Sequence, residues 1–254
     1  MADYLYKYRS LEGAGRRYAE RLLVHNEVYF ASPSTFNDPF DSRARISVGG
    51  TDEQHRANLL RLFREKRPEL SEEARSAKVD EIIASGRHRD PSVYEDTTTN
   101  TQAQVDALGV FCLAGNPDSI LMWAHYTAGH SGFCVQFLHR DEPFLGRAQD
   151  VRYSATYPEI VYPVDSNDDK VEKFLLTKAR FWEYEQERRV IERAGPGTYS
   201  LPAGLLTGVI LGCRMREPDR EQVREWSLQR KPKSQLYEAR PLATQFGLDI
   251  VPVE

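Results

Sequence analysis

Short apolar runs, separated by irregular polar segments, constrain the fold of this chain more than any other feature. Each run has the length and the β-branched or aromatic content of a strand; the clearest lie at 28–31, 109–113, 133–137 and 208–213. Helical periodicity is confined to other segments, chiefly 11–26, 51–89, 120–126, 168–181 and 220–229. Because strands and helices do not alternate regularly, the pattern predicts an α+β fold with a core of short strands, and not a doubly wound sheet.

The chain is long and apolar enough to form one large domain. It has 254 residues, of which 40% are hydrophobic. Between 51 and 89 the charge rises and apolar residues become sparser. That segment predicts two amphipathic helices, the second starting after Ser71, followed by a polar, Thr-rich loop at 90–106. We therefore expect a single domain over 1–254 with a helical insertion or cap at about 51–105.

Charge and cysteine content bear on partners and compartment. The net charge is -4, with 34 basic and 38 acidic residues well mixed, which is not typical of a dedicated duplex-DNA binder, although a local basic groove for nucleic acid remains open. The three cysteines form no CxxC pair, so no disulfide framework is expected. No segment has the pattern of a signal peptide or the roughly 18 apolar residues of a membrane span. These observations predict a cytoplasmic protein without a membrane partner.

Metal binding and serine hydrolysis are weakly indicated. His125, His130 and His139 lie close together in sequence around Cys134, but their spacing matches no zinc pattern. Ser131 precedes a strand and is not part of a GxSxG elbow. We therefore predict no metal.

The segment 182–191, with the sequence WEYEQERRVI, carries an unusual charge pattern. Read as a strand, its period of two places Glu185, Glu187 and Arg189 on one face. Charges at such positions need partners or a function. A solvated edge strand and a buried ion network that includes Lys178 are the structural alternatives.

Two further segments combine aromatic and polar residues. In 36–41 (FNDPFD), Asn37 and Asp38 stand between two phenylalanines, which is typical of an anchored turn. Trp123 and Tyr126 are spaced to share one face of a short helix. Each segment is explained either by core packing or by a place in the wall of a ligand cleft, with the aromatic rings facing a flat base or nicotinamide.

Taken together, these motifs resemble a known bacterial family. The matching segments are 5–8 with 29–33 and 36–41, then 122–126 with 132–134, then Lys178, Trp182, Tyr184, Glu185, Glu187 and Arg189. The combination is similar to the family catalogued as domain of unknown function 2971. The resemblance covers nearly the whole chain outside about 51–105, but it implies no settled activity.

A second resemblance bears on chemistry. ADP-ribosyltransferases carry three motifs on a split β-sheet. The segment 29–32 with Ser34 is similar to their middle motif, and Glu185-Gln186-Glu187 is similar to the late Glu-x-Glu element of arginine-modifying toxins. Tyr6, Lys7 or Tyr8 stands where those enzymes have an early His or Arg, and this chain departs from the pattern there.

This resemblance implies a split mixed or antiparallel sheet and NAD as the substrate. Glu187 would be the catalytic carboxylate and Glu185 its partner. Contacts with the nucleotide would come from Tyr6, Lys7, Tyr29, Ser32, Asn37, Asp38, Trp123, His125, Tyr126, Lys178 and Arg189. The acceptor stays open, and a toxin or a phage-defence effector would suit such an enzyme. The alternatives are a non-catalytic ligand-binding or interaction module with a structural Glu/Arg/Lys network, and a metal-independent nuclease.

Overall fold

The computed structural model describes residues 3–90 and 92–253. The α-helices of this part are α1 (Gly15–His25), α2 (Asp52–Lys66), α3 (Glu72–Ala84), α4 (Ser92–Asp106), α5 (Ile120–Tyr126), α6 (Asn167–Leu175) and α7 (Glu217–Gln229). The strands are β1 (Asp3–Arg9), β2 (Glu27–Phe30), β3 (Arg45–Val48), β4 (Gly109–Leu113), β5 (Phe133–His139), β6 (Gln149–Asp150), β7 (Arg152–Ser154), β8 (Glu159–Tyr162), β9 (Thr177–Ala179), β10 (Arg188–Glu192), β11 (Gly197–Ser200), β12 (Leu206–Leu211), β13 (Gln235–Pro241) and β14 (Leu248–Pro252). The predicted α+β class is confirmed.

The chain folds as two compact units. The first contains residues 3–37, 108–153 and 180–253, and the second contains 38–107 and 154–179. The predicted insertion at about 51–105 lies inside the second unit, which also takes in the later segment 154–179.

A five-stranded mixed sheet, in the order β1-β5-β12-β13-β14, forms the centre of the first unit. Only β12 and β13 run parallel within it. Because side chains alternate along a strand, β5 places Val135 in one buried cluster and Cys134 in another. Helices α1 and α7 cover the first face, and α5 covers the second. Burial on both faces explains why β5 reads as a continuous apolar run.

A second sheet of the first unit, in the order β4-β10-β6, meets the first sheet along β4. Tyr6 of β1 forms an isolated antiparallel bridge with Ala114, and Ala31 forms another with Val110. Both bridges have two backbone hydrogen bonds of 2.7–2.9 Å. Between them β4 has no neighbouring strand on that edge among residues 3–90 and 92–253, so the strands separate around Cys112.

The second unit contains helices α2, α3, α4 and α6 and the parallel pair β3 and β8. Helix α2 begins at the capping box that Thr51 forms with Gln54. The loop predicted at 90–106 is wrong, because 92–106 forms α4. Tertiary contacts override its weak helix propensity: Val105 is buried, and Gln102 donates a hydrogen bond to the carbonyl oxygen of Ser42.

The helix predicted at 168–181 is shorter than expected. It begins after Ser166, which forms a capping box with Asp169. The helix ends at Leu175. Phe174, Leu175 and Leu176 are buried one after another. Three consecutive buried residues do not fit one helical face, and the chain continues as β9.

Candidate functional site

The segment that carries Glu185 and Glu187 is not one continuous strand. Residues 180–185 form a 3₁₀-helix, Gln186 has a left-handed φ of 45°, and β10 begins at Arg188. The prediction of a single strand face over 185–191 is therefore wrong. Gly115 makes the turn possible, since a Cβ there would lie 2.9 Å from the Gln186 Cβ.

The three charged side chains of this segment are nevertheless buried. Glu185 is 3% exposed, Glu187 5% and Arg189 0%. Exposure this low excludes the solvated edge strand. The Arg189 Nε donates to Oε1 of Glu187 at 2.8 Å, and its second terminal nitrogen donates to Oε2 at 3.0 Å. This bidentate geometry offsets much of the cost of burying both charges.

Aromatic side chains surround the pair and its neighbour Glu185. The Phe36 ring lies 5.3 Å from the Arg189 guanidinium carbon. The Tyr126 hydroxyl donates to Oε1 of Glu185 at 2.7 Å. The Glu187 amide donates to the Tyr153 hydroxyl at 2.7 Å. Residues from the 33–36 turn, α5 and β7 thus fix the segment.

Three segments from distant parts of the sequence converge on β4. Tyr6 bridges Ala114, Ala31 bridges Val110, and Arg189 pairs with Cys112. Since alternate residues of a strand share a face, the side chains of Val110, Cys112 and Ala114 lie on the same side of β4. Paired residues also share a face. Tyr6 and Arg189 therefore lie on one side of the junction.

Lys7 points to the opposite side of β1 from Tyr6. Its Nζ donates to the Cys112 carbonyl oxygen at 2.5 Å and lies 5.1 Å from the centre of the Phe111 ring. This contact satisfies a backbone acceptor at the point where β4 lacks a neighbouring strand in the described part of the chain. Burial lowers the pKa of Lys7 to about 8, although Glu187 and Glu185 act in the other direction.

The Cys112 thiol is a poor nucleophile in this setting. Burial and the Glu187 carboxylate raise its pKa to about 12, so the thiol stays protonated at neutral pH.

Trp123 is a core residue and offers no face to a ligand. It is 0% exposed, its Nε1 donates to the Pro117 carbonyl oxygen at 2.8 Å, and its ring meets the Tyr8 ring edge to face at 5.3 Å. The expected aromatic wall at this position is therefore replaced by core packing.

A different set of rings lies beside Glu185. His125 is exposed, and its ring centre lies 6.1 Å from that of Trp182 and 6.3 Å from that of Tyr184. The Trp182 and Tyr184 ring centres are 6.0 Å apart. Sequence reasoning assigned no ligand role to Trp182 or Tyr184. Their position just before Glu185 was the sequence signal that could have indicated a ligand role. Only the 3₁₀-helix at 180–185 shows that both rings lie next to the His125 ring.

The remaining predicted contacts of the first unit have local roles. The Tyr29 ring packs at 5.5 Å from that of Tyr18 in α1. The Ser32 Oγ caps the 33–35 turn by accepting a hydrogen bond from the Ser34 amide at 3.3 Å. Asn37 is exposed.

Two predicted contacts belong to the second unit. The Asp38 carboxylate accepts a hydrogen bond from the Phe40 amide at 2.9 Å, which fixes the turn. Lys178 is 7% exposed, and its Nζ lies 3.7 Å from a carboxylate oxygen of the buried Asp41. Both residues therefore have interactions within their own unit.

Comparison with protein-family models, curated proteins and solved structures found no match to this chain. Within residues 3–90 and 92–253, no three His, Cys, Asp or Glu side chains are grouped so that they could hold a metal ion. No helix in the described part of the chain is long and apolar enough to cross a membrane.

Proposed function

We propose that this chain is an ADP-ribosyltransferase-like enzyme that binds NAD and cleaves its nicotinamide glycosidic bond, with Glu187 as the catalytic carboxylate. The convergence on β4 carries the proposal. Tyr6 stands at the position of the early motif, Ala31 lies in the segment that resembles the middle motif, and Arg189 follows Glu187 of the late Glu-x-Glu element by two residues. All three pair with this one strand or its continuation at Ala114. Under this proposal, the open edge of β4 between the two bridges would correspond to the split of the sheet in those enzymes.

The electrostatics of the Glu187 carboxylate suit this reaction. Departure of nicotinamide builds positive charge on the ribose, and a nearby carboxylate stabilises that charge. Arg189 holds the Glu187 carboxylate in place with two charge-assisted hydrogen bonds. Burial lowers the local dielectric constant, so the carboxylate interacts more strongly with a cationic transition state than it would in water. Glu185 would orient or deprotonate the acceptor.

The rings of His125, Trp182 and Tyr184 would hold the flat part of the ligand. They form a cluster with ring centres 6.0–6.3 Å apart, and Tyr126, next to His125, is hydrogen bonded to Glu185. Aromatic faces at this spacing can stack on a nicotinamide or adenine ring. We also propose membership of the domain of unknown function 2971 family, on the motifs given above.

A structural ion network is the second candidate, and one observation favours it. Both oxygens of Glu187 accept hydrogen bonds from Arg189, which is 0% exposed. A carboxylate whose two oxygens both bind a buried arginine can have a purely structural role, in which it stabilises the fold. Under this reading the chain is a non-catalytic binding or interaction module.

Nicotinamide release from NAD separates the two candidates. We expect release by the wild-type protein and loss of release in Glu187→Gln at a temperature where both proteins are folded. Glu159→Gln is the matched control, because Glu159 is an exposed carboxylate that also pairs with an arginine. Absence of both turnover and a thermal shift with NAD in the wild type would reject the enzyme and favour the structural network.

A further inference from the structure

A cavity of the first unit, with a volume of about 510 Å³, is lined mainly by charged side chains. Arg16, Arg214 and Arg216 supply three guanidinium groups, and Glu12 and Asp219 supply two carboxylates. The backbone turn at 128–131 forms another part of the wall. Cavities of this size commonly hold small ligands.

The charges of this cavity are not fully compensated. Asp219 forms ion pairs with Arg16 and, at 3.4 Å, with Arg216. Among the residues that the structure describes, Arg214 takes part in no ion pair and no side-chain hydrogen bond. An exposed guanidinium with five donors therefore faces the cavity without a partner.

Two helices begin at this cavity. Arg16 is the second residue of α1, and Arg216 directly precedes α7. Neither helix has a side-chain cap on its first amides, and the first turn of α1 contains no acidic residue. The helix dipoles add partial positive charge to that of the arginines, with Glu217 and Asp219 in the first turn of α7 opposing it.

The backbone wall of the cavity is strained and well fixed. Ala128, Gly129 and His130 have left-handed φ values of 51°, 66° and 69°. The amides that follow, of Ser131 and Gly132, both donate to the Thr127 carbonyl oxygen, at 3.0 and 2.8 Å. Non-glycine residues in this conformation cost free energy and persist where the surroundings hold them, often at ligand sites.

We propose that this cavity binds the phosphate or diphosphate group of a small molecule. Guanidinium groups form paired, charge-assisted hydrogen bonds with phosphate oxygens, and Arg214 is available to form them. The proposal is independent of the NAD reaction, because none of the residues lining this cavity belongs to the Glu185–Glu187–Arg189 cluster.

Titration calorimetry with pyrophosphate, inorganic phosphate and ADP tests the proposal. We expect pyrophosphate or ADP to bind the wild type, and Arg214→Gln to weaken that binding at least about tenfold without lowering the melting temperature. Arg17→Gln is the matched control. Arg17 is an exposed arginine in the same turn of α1 as Arg16, but it does not line the cavity. Tighter binding of ADP than of pyrophosphate would identify the ligand as a nucleotide. Tighter binding of pyrophosphate would identify it as the free anion.

Two further variants make the test decisive. Asp219→Asn, where the protein remains folded, should bind pyrophosphate more tightly because Arg16 and Arg216 lose a competing carboxylate. Glu187→Gln should bind it as the wild type does, whatever its effect on nicotinamide release. No binding by the wild type at millimolar pyrophosphate, equal binding by Arg214→Gln, or no gain in Asp219→Asn would overturn the proposal.

Discussion

Removing the charge of Glu187 should destabilise the protein by an amount that the geometry sets. Glu187→Gln keeps the shape of the side chain and one carbonyl oxygen for Arg189, but it removes the carboxylate charge that holds this fully buried guanidinium with two hydrogen bonds. Breaking a buried ion pair by removing one partner costs about 3–5 kcal/mol. Because one of the two hydrogen bonds can persist, we expect the lower end, about 3 kcal/mol.

The cost should be specific to the loss of the Glu187–Arg189 ion pair. Replacing both members, as in Glu187→Leu with Arg189→Met, removes the need for a counter-charge and should be less destabilising than either single change. The two substitutions are then strongly coupled, as expected of residues in direct contact. A purely additive pair would contradict the bidentate contact.

Urea denaturation followed by tryptophan fluorescence measures these free energies of unfolding. For a chain of this size, a loss of about 3 kcal/mol lowers the melting temperature by about 6–12 °C. Glu159→Gln, which removes one member of an exposed ion pair, should have the same melting temperature as the wild type. A Glu187→Gln protein that unfolds within about 0.5 kcal/mol of the wild type would refute the argument, since surface changes have effects of that size.

Two substitutions and one labelling experiment test the surroundings of this pair. Folding lowers the pKa of Lys7 from 10.5 to about 8. Between pH 8 and 10.5 the unfolded chain therefore binds a proton that the folded chain does not. The free energy of unfolding of the wild type should rise from about pH 8 to about 9.5 relative to that of Lys7→Met. The Cys112 thiol, with its pKa raised to about 12, should react slowly with iodoacetamide at pH 8 in the native protein and rapidly in urea; fast native labelling of Cys112, located by mass spectrometry, would contradict its protonated state. Tyr126→Phe removes the hydroxyl that donates to Glu185 and should cost about 1.5–3 kcal/mol in chemical denaturation, with an unchanged value showing that the bond adds nothing.

The regular elements with clear periodicity were predictable from the sequence. The apolar runs of β4 and β5 and the amphipathic α1 each have one dominant period, so local pattern and tertiary burial agree. α4 was not predictable, because its Thr-rich sequence favours helix weakly and its contacts with distant residues decide the outcome.

The site residues were predictable as residue types but not as an arrangement. The unusual charges at Glu185, Glu187 and Arg189 were visible, and all three are buried. Their mutual placement depends on the left-handed turn at Gln186 and on the close approach of Gly115, two features without a local signal. Strand periodicity therefore predicted a single strand face that does not exist, although the structure does place Glu185, Glu187 and Arg189 in one buried region.

The charges around β4 can serve the fold and the proposed reaction together. Lys7 satisfies the Cys112 carbonyl where the sheet lacks a strand, and Arg189 fixes Glu187 with two hydrogen bonds. Groups that the fold already holds in place need little reorganisation when charge develops on a ligand, which is how preorganised sites lower reaction barriers. A stability loss in Glu187→Gln is thus expected under both candidate functions. Because stability alone cannot separate them, nicotinamide release by folded protein is the measurement that decides whether this carboxylate also acts on a substrate.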